Sequence, residues 1–392
     1  VPCDELDAER GFFELGLTSI SLIEFKRKLE ARVGLELPAT VGFDYPNLEA
    51  LARRLEQLGA AKEIQPTTCA PAARGADTGH EVAVLGMACR LPRADSPEAL
   101  WEVLLEQATC VVPVPSSRLT EPVNTRRHAS LVERVEGFDE DFFRISPREA
   151  GSMDPQQRLF LMVAWEALER AGIPPHDLRE RQVGVFVGAN AHDYEARLLA
   201  CAAGIDANYG TGSAFSAISG RLSHFLGLRG PSLTVDTACS SSLTAVHLAC
   251  NSLLAGECEI AIVGGVNVIA SSAIFQSMGD AGALSADGTC KTFDDRADGY
   301  GRGEGCGVVI LKRAERARAD GDRVIAVLLG SAVNHDGACA GLTVPNGPAQ
   351  EALIREALAN ASLSAAAVGY VEAHGTGTVL GDPIELDRKS VV

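Results

Sequence analysis

Short apolar runs of strand length alternate with helical runs through most of this 392-residue chain. Strand-like runs occur at Val183–Gly188, Ser232–Thr237 and Ile260–Val268, and helical runs separate them at Ala214–Leu226 and Leu243–Ala255. This alternation is typical of an α/β architecture, because a strand that is covered by helices on both faces is apolar along its whole length. The sequence therefore predicts a largely buried sheet covered by helices.

The same pattern continues on both sides of these elements. Further strands are predicted at Glu81–Gly86, Val308–Lys312 and Val324–Leu329, with helices at Pro97–Gln107, Gln156–Ala171 and Pro348–Asn360. A last predicted strand, Val368–Ala373, leads directly to His374.

The first 58 residues form a separate helical unit. Apolar residues recur at helical spacing in Ser21–Val33 and again in Leu48–Leu58. Residues 59–80 are rich in Ala, Pro, Thr and Gly without apolar periodicity, which is typical of a linker. We therefore expect three parts: a helical domain over 1–58, a flexible linker over 59–80 and an α/β domain over 81–392.

Composition narrows the functional class. A net charge of −17 argues against general nucleic-acid binding, and the longest apolar stretches, such as Ile260–Ile269, are too short to span a bilayer. The eleven cysteines are odd in number and include no C-x-x-C pair, so reduced thiols and no structural metal are predicted. These features indicate a cytoplasmic protein without a membrane span.

One cysteine occupies the junction between a predicted strand and a predicted helix. Asp236-Thr237-Ala238-Cys239-Ser240-Ser241-Ser242 ends the strand-like run and begins the helical one. The unpaired N–H groups and the dipole of a helix N-terminus stabilise a thiolate, which is the form that attacks acyl groups. A buried cysteine before a helix is often no more than a small apolar residue, but the small residues of this turn favour a presented nucleophile.

A histidine motif follows a strand-like run near the end of the chain. In Glu372-Ala373-His374-Gly375-Thr376-Gly377-Thr378 the glycines permit close approach of a substrate, and the threonines offer hydroxyl donors. A lone histidine is more often a satisfied polar residue than a catalyst. If the fold brings it to Cys239, however, the two residues form a nucleophile and its partner.

The glycine-rich run Gly301–Gly307 superficially matches a dinucleotide-binding fingerprint. Such a fingerprint lies between a strand and a following helix, whereas this run leads into the predicted strand Val308–Lys312. A tight structural loop is therefore predicted.

Together these motifs make residues 81–385 resemble the β-ketoacyl synthase domains of modular type I polyketide synthases. The segment around Cys239, from Gly230 to Leu243, is similar to the active-site signature of that family. Further matching segments occur in order along the chain: Ser146–Ala150, Met153–Arg158, Gly256–Cys258, Phe293–Asp294, Ala297–Tyr300, Arg302–Gly305 and Asn334–Gly337.

The resemblance implies a thiolase-like fold, with two pseudo-symmetric halves in a layered αβαβα stack, and a homodimer. It also implies that Cys239 accepts the growing acyl chain as a thioester. His374 would help decarboxylation of a malonyl-type extender and stabilise the developing enolate, and Thr376 and Thr378 would contact the pantetheine arm. The implied reaction is a decarboxylative Claisen condensation.

The N-terminal unit resembles the C-terminal part of an acyl carrier protein domain, on the basis of Leu15–Ile20 and Val41–Pro46. The resemblance assigns Ser19 as the attachment site of covalent 4′-phosphopantetheine, derived from coenzyme A. Thr18 and Ile20 replace the family's Asp and Leu, which removes a carboxylate from the helix start. The alternative is that Thr18 or Ser19 only caps the helix.

Both ends of the sequence differ from complete family domains, so we expect a fragment of a longer multidomain polypeptide. The family's second catalytic histidine and its lysine, in a Lys-x-x-x-Gly-His motif, are not in this sequence. We therefore expect acylation of Cys239 but not full condensation by this chain alone.

The implied partners are acyl and malonyl-type thioesters, acyltransferase and carrier domains, and a phosphopantetheinyl transferase. Residues 1–58 carry eleven acidic and seven basic side chains, which favours docking to basic surfaces. Two alternatives remain open: a non-elongating ketosynthase that only transfers acyl groups, and a non-catalytic scaffold that dimerises and docks carriers.

Overall fold

A computed structural model describes residues 7–12, 15, 17, 19–35, 37, 41–60, 80–119, 127–200, 205–337, 339, 341 and 343–390. The side chains of residues 19–21, 23–24, 43, 58–60 and 389–390 are outside the description. Most of the predicted linker, residues 61–79, therefore lies outside the described residues.

The described residues form the following helices and strands in chain order. The helices are α1 Ser19–Val33, α2 Val41–Asp44, α3 Leu48–Ala60, α4 Pro97–Leu105, α5 Glu140–Phe143, α6 Pro147–Ser152, α7 Pro155–Arg170, α8 Asp193–Ala200, α9 Tyr209–Ser213, α10 Ser216–Leu226, α11 Ser241–Ala255, α12 Ala273–Asp280, α13 Ala314–Asp320, α14 Gly347–Asn360 and α15 Gly381–Ser390. The strands are β1 Val82–Arg90, β2 Val111–Pro113, β3 His128–Ser130, β4 Val183–Gly188, β5 Ser232–Val235, β6 Ile260–Asn267, β7 Arg302–Gly303, β8 Gly305–Arg313 and β9 Ala326–Leu328.

The chain divides into two compact units. The sheet unit comprises Ala76–Thr289 and Gly299–Ser331, and the helical unit comprises Val1–Gly75, Cys290–Asp298 and Ala332–Val392. Cys239 belongs to the sheet unit and His374 to the helical unit.

A six-stranded mixed sheet organises the sheet unit, in the order β5-β4-β6-β8-β1-β9. Strand β4 runs parallel to its neighbours β5 and β6, whereas β8 runs antiparallel to both β6 and β1. Strands β5, β4 and β6 therefore share one carboxyl edge, where loops that carry functional groups are commonly found.

Helices cover both faces of this sheet. Along β6, Ile260 and Ile262 face the cluster that contains α7 and α10, and Ala261 and Val263 face the cluster that contains α11. All four side chains are buried, as the period of two along a strand requires when both faces are covered. The prediction of a largely buried sheet between helices is confirmed.

The helical unit has a small core of its own. Phe12, Leu22, Leu37, Val41 and Leu51 are buried together within residues 7–60. The downstream residues Val344 and Leu380 pack against this core, and Arg388 of α15 forms an ion pair with Asp44 of α2. The N-terminal helices therefore pack against the end of the chain as well as against one another.

The predicted strand Val368–Ala373 is wrong. These residues form no strand, and no partner strand lies beside them in the described part of the helical unit. Tyr370 is 79% exposed and Val371 52% exposed, so apolar residues that indicate a buried strand by sequence lie at the surface here.

Asp154 begins α7 as a buried N-cap. Its Oδ1 accepts a hydrogen bond from the Gln156 N–H at 2.8 Å, and its side chain is buried. Burial raises the pKa of Asp154 to about 6, above its usual value of 3.8. Because the folded state holds this proton more tightly, its contribution to stability is present below pH 3.8 and is lost as the pH rises through about 6.

We predict that Asp154→Asn gains stability relative to the natural chain as the pH rises from about 4 to about 7. Asparagine is also a good N-cap, and the variant avoids a buried charge worth at most about 3 kcal/mol. Thermal unfolding at a series of pH values measures the difference. Asp139→Asn, at the exposed N-cap of α5, is the matched control. The prediction is contradicted if the melting temperatures of the two variants change with pH in the same way.

Candidate active site

Cys239 lies in a tight turn between β5 and α11. A 3-10 turn over Ala238–Ser240 follows the strand and runs directly into the helix at Ser241. Ala238 has a positive φ of 54°, which is uncommon for a residue with a side chain. Its N–H donates to the Asp236 carboxylate at 2.9 Å, so the aspartate holds the strained residue in place. The thiol is therefore presented at the head of a 15-residue helix, as the sequence predicts.

Three serines follow Cys239: Ser240 ends the 3-10 turn, and Ser241 and Ser242 begin α11. Two of them stabilise the turn. The Ser241 hydroxyl accepts from the Thr237 N–H at 2.9 Å and donates to the Ala238 carbonyl at 2.7 Å. The Ser240 hydroxyl donates to the Thr237 carbonyl at 2.8 Å. These bonds tie the hydroxyls at the start of α11 to the backbone of the turn that precedes it.

Two glycines let the head of α11 lie directly on the sheet. Gly188 and Gly265 are paired residues at the ends of β4 and β6. A Cβ on Gly188 would lie 2.5 Å from the backbone of Ser241 and Ser242, and one on Gly265 would lie 2.0 Å from the Ser242 hydroxyl. Any larger residue would push the helix away, so these glycines position Cys239. The sequence analysis did not identify this role, because it depends on the contact between these strands and α11.

Cys239 is exposed and lines a cavity of about 350 Å³ in the sheet unit. One wall is the head of α11, and another is the end of β7 together with the start of β8. The lining includes Leu91, Gly188, Asn190, Ala238, Ser242, Gly265, Asn267 and the residues from Gly303 to Gly307. The prediction of a loop over Gly301–Gly307 is wrong, because most of this glycine-rich run lies in β7 and at the start of β8. The run also borders the candidate nucleophile.

Cys250, Cys258 and Cys306 are buried, whereas Cys239 is exposed. Burial raises the pKa of the Cys250 thiol to about 11, and it also raises the pKa of Cys258 and of Cys306, which borders the same cavity. These thiols stay protonated at neutral pH and are poor nucleophiles. The eight cysteines in the described part of the chain include no disulfide pair, and the prediction of reduced thiols stays a prediction.

A buried carboxylate organises the loop beside the cavity. The Glu304 side chain accepts from the N–H groups of Val132 at 2.9 Å and Ile269 at 2.8 Å, and from the Arg118 guanidinium at 3.1 Å. Burial raises the pKa of Glu304, although these donors offset part of the effect. The sequence pattern does not reveal this role of Glu304, because its partners are far away in the chain.

His374 lies in a loop held by two carboxylates of α15. Glu385 accepts from the N–H of His374 at 2.6 Å and from the N–H of Gly375 at 2.8 Å. Asp382 accepts from the N–H of Gly377 at 3.0 Å. Both carboxylates are buried, and the His374 side chain is exposed. The helix after the motif therefore fixes the backbone that carries the histidine.

The two glycines of this loop are required by its conformation. Gly375 and Gly377 have φ values of 55° and 72°, which favour glycine. The hydroxyls of Thr376 and Thr378 are hydrogen bonded to each other at 3.0 Å. Thr378 also lines a cavity of about 400 Å³ in the helical unit, with Phe293, Pro383 and Leu386 among its walls.

The predicted pairing of Cys239 with His374 stays a prediction, because the two residues belong to separate units. Ser19 is the first residue of α1, but its side chain lies outside the described residues, as does the whole of Thr18. The choice between an attachment site and a cap is therefore open.

Metal-ligating clusters and membrane spans are both absent from the described ranges. Those ranges contain no group of three or more His, Cys, Asp or Glu side chains that could hold a metal ion. None of the helices found there is long and apolar enough to cross a membrane.

Comparison with protein families gives three matches along the chain. Residues 79–317 match the N-terminal domain of β-ketoacyl synthases, and residues 325–390 match the C-terminal domain. Residues 1–55 match a phosphopantetheine attachment site.

Similar proteins carry these domains within much longer chains. Polyketide synthase GfsB of Streptomyces halstedii is 47% identical over 97% of this chain, which spans 7% of that protein. Erythronolide synthase EryA2 of Saccharopolyspora erythraea is 45% identical over 97% of this chain, which spans 11% of it. The chain thus covers a small part of the length of these relatives.

Solved ketosynthase structures share the fold. The ketosynthase from module 6 of the bacillaene synthase of Bacillus subtilis 168 superposes with a TM-score of 0.73 at 37% identity. That match covers 79% of this chain and 54% of the other. The oxazolomycin ketosynthase domain of Streptomyces albus JA3453 gives a TM-score of 0.72 at 42% identity, with 79% and 56% coverage.

We predict that Glu385→Gln loosens the His374 loop. The glutamine side chain would place an NH₂ group where one oxygen of Glu385 now accepts a backbone N–H, so that hydrogen bond would be lost. Loss of a hydrogen bond to a charged group costs about 1.5–3 kcal/mol. Hydrogen exchange at the amides of His374 and Gly375 should become about tenfold to a hundredfold faster, since about 1.4 kcal/mol corresponds to tenfold.

The matched control is Glu356→Gln on the exposed face of α14. It should leave exchange at both amides unchanged. Equal exchange in the two variants would show that Glu385 does not hold the loop.

Proposed function

Because this chain belongs to the β-ketoacyl synthase family and carries a phosphopantetheine attachment domain ahead of it, we propose that Cys239 accepts acyl groups during polyketide chain elongation. The predicted thiolase-like α/β fold is confirmed by the solved ketosynthases that it resembles. The resemblance to modular polyketide synthases is likewise confirmed by the relatives and the order of the domains.

The presentation of Cys239 is the observation that carries the proposal. The thiol is exposed in a cavity of about 350 Å³ at the N-terminal end of α11, where helix N–H groups favour a thiolate. The cavity is large enough for the reacting end of an acyl thioester. The buried Cys250 and Cys306 lack both the exposure and the ionisation that this role needs.

In the first step we propose that the Cys239 thiolate attacks the carbonyl carbon of an incoming thioester. A carbon–sulfur bond forms to Cys239, the original carbon–sulfur bond breaks, and the released thiolate takes up a proton. The oxyanion of the intermediate would need N–H donors, and the N–H of Cys239 at the turn is suited to supply one.

In the second step a malonyl-type extender loses carbon dioxide, and its carbanion equivalent attacks the acyl carbon on Cys239. A carbon–carbon bond forms and the Cys239 thiolate leaves, so the acyl chain grows by two backbone carbons. His374 would stabilise the developing enolate as a hydrogen-bond donor through Nε2. The fixed backbone around His374 supports this role, because Glu385 and Asp382 hold the loop from within the helical unit.

We propose Ser19 as the attachment point of 4′-phosphopantetheine. Ser19 is the first residue of the 15-residue helix α1, and the N–H groups of a helix start suit a phosphate ester. When attached, this group supplies a terminal thiol on which acyl groups are carried as thioesters. Thr376 and Thr378 are proposed pantetheine contacts, supported by the position of Thr378 on the wall of a cavity.

The proposed partners follow from this role. They are acyl and malonyl-type thioesters, acyltransferase and carrier domains, and a phosphopantetheinyl transferase in the cytoplasm. A homodimer is also proposed, because β5 is an edge strand whose Leu233 is 45% exposed. An edge strand of this kind is suited to pair with another chain.

Two alternative functions differ from this proposal in which of the two steps they retain. A non-elongating ketosynthase would retain acyl transfer to Cys239 without decarboxylation, and a docking scaffold would retain neither step. Acylation of Cys239 therefore separates both enzymatic functions from the scaffold.

We predict that incubation with an acyl thioester, followed by peptide mass spectrometry, locates the acyl group on Cys239. Cys239→Ala should abolish this label. The control is Cys290→Ala, which removes another exposed thiol and should leave the label on Cys239. A folded chain that never acquires an acyl group on Cys239 would exclude both enzymatic functions.

We predict that coenzyme A and a broad-specificity phosphopantetheinyl transferase add one phosphopantetheine mass to the chain, and that Ser19→Ala prevents it. Ser21→Ala alters a neighbouring serine of the same helix and should retain the mass gain. If a folded chain shows no mass gain, Ser19 acts as a helix cap and the carrier function is wrong.

A further inference from the structure

A second polar cavity lies in the sheet unit and shares no lining residue with the Cys239 cavity. Its volume is about 180 Å³. Arg127 lies just before β3, His128 begins β3 and Arg302 begins β7, and helix α12 supplies Phe275 and Gly279. The lining contains two guanidinium groups and an imidazole but no carboxylate.

Three nitrogen atoms of these side chains are buried without a hydrogen-bond partner in the described part of the chain. They are Nε of Arg127, Nδ1 of His128 and Nη1 of Arg302. Burial of an unpaired donor costs about 1–3 kcal/mol, and more for a charged group. Two guanidinium donors and an imidazole nitrogen, which donates when its ring is protonated there, thus lie together around one small cavity, although buried polar groups in native proteins are almost always paired.

Arg302 is the most constrained of the three. It is 9% exposed, and its guanidinium lies over the Phe275 ring with 4.6 Å to the ring centroid. Burial lowers the pKa of Arg302, although nearby Asp193 opposes this effect. The stacking fixes the plane of the guanidinium on the cavity wall, so this group is preorganised for a ligand.

Two carboxylates that act on the charge of Arg302 have other bonds. Asp193 accepts from the N–H groups of Ala270 at 3.2 Å and Ser271 at 3.1 Å. Glu304 accepts from backbone N–H groups and from Arg118. Both contribute negative charge near Arg302, but neither lines the cavity. Arg127 adds a second guanidinium charge to the cavity wall, and no carboxylate lines the cavity to balance it.

Glycines keep the cavity open. A Cβ on Gly279 would lie 3.3 Å from Nη1 of Arg127, and a Cβ on Gly288 would lie 2.6 Å from Cβ of His128. At about 180 Å³ the cavity is too small for a drug-sized ligand, whose sites begin at about 300 Å³. It has room for a tetrahedral oxyanion with one or two waters, since a water occupies about 30 Å³.

We propose that this cavity binds a phosphate oxyanion through Arg127, His128 and Arg302. Arginine forks match phosphate geometry and form strong charge-assisted hydrogen bonds with it. The phosphate is either a free ion or a phosphomonoester group of a larger molecule. This inference does not rest on acyl transfer by Cys239.

Isothermal titration calorimetry of the full chain with inorganic phosphate and with methyl phosphate tests the proposal, at an ionic strength kept constant with sodium chloride. Saturable binding of either ligand is expected. Tighter binding of inorganic phosphate assigns the free ion, and tighter binding of methyl phosphate assigns an ester group.

Arg127→Gln should weaken binding at least tenfold, because it removes one cation from the cavity wall. Arg302→Lys keeps the buried charge but removes the fork, and it should also weaken binding at least tenfold while the chain stays folded. Arg134→Gln, on an exposed arginine outside the cavity, is the control and should bind as the natural chain does. Absence of saturable binding of both ligands, or equal affinity of Arg127→Gln and Arg134→Gln, would overturn the proposal.

Discussion

The close approach of helix α11 to the ends of β4 and β6 is the constraint on which the candidate active site depends. Gly188 and Gly265 leave no side chain between the sheet and the backbone of Ser241 and Ser242. The preceding turn is then short enough that Ala238 takes a positive φ and Cys239 faces a cavity. The packing of α11 on the sheet therefore also determines how the Cys239 thiol is presented.

Buried carboxylates that accept backbone N–H groups fix the loops around the candidate residues. Glu304 holds the segments beside the Cys239 cavity, and Asp382 and Glu385 hold the His374 loop. A carboxylate is suited to this task because its two oxygens accept several N–H bonds at once. The loops thereby gain rigidity without regular secondary structure, and that rigidity is what a preorganised site requires.

The sequence was sufficient to predict most helices and strands of the sheet unit and the position of Cys239 between β5 and α11. Apolar periodicity located β4 and α11 closely, because burial on a sheet face dictates residue type locally. It failed at Val368–Ala373, because a strand also needs a partner and periodicity does not report one. The roles of Gly188, Glu304 and Glu385 were missed for a related reason: each depends on a contact with another element that no local pattern encodes.

The central claim is that the position of α11 on the sheet makes Cys239 a reactive, presented thiol. Its most direct test is the rate of alkylation of Cys239 by iodoacetamide, with exposed Cys290 of the same chain as internal reference. The account predicts that Cys239 reacts faster than Cys290 in the natural chain. It also predicts that Gly188→Ala removes this difference without changing Cys290. Equal rates in the natural chain, or an unchanged Cys239 rate in a folded Gly188→Ala variant, would contradict it.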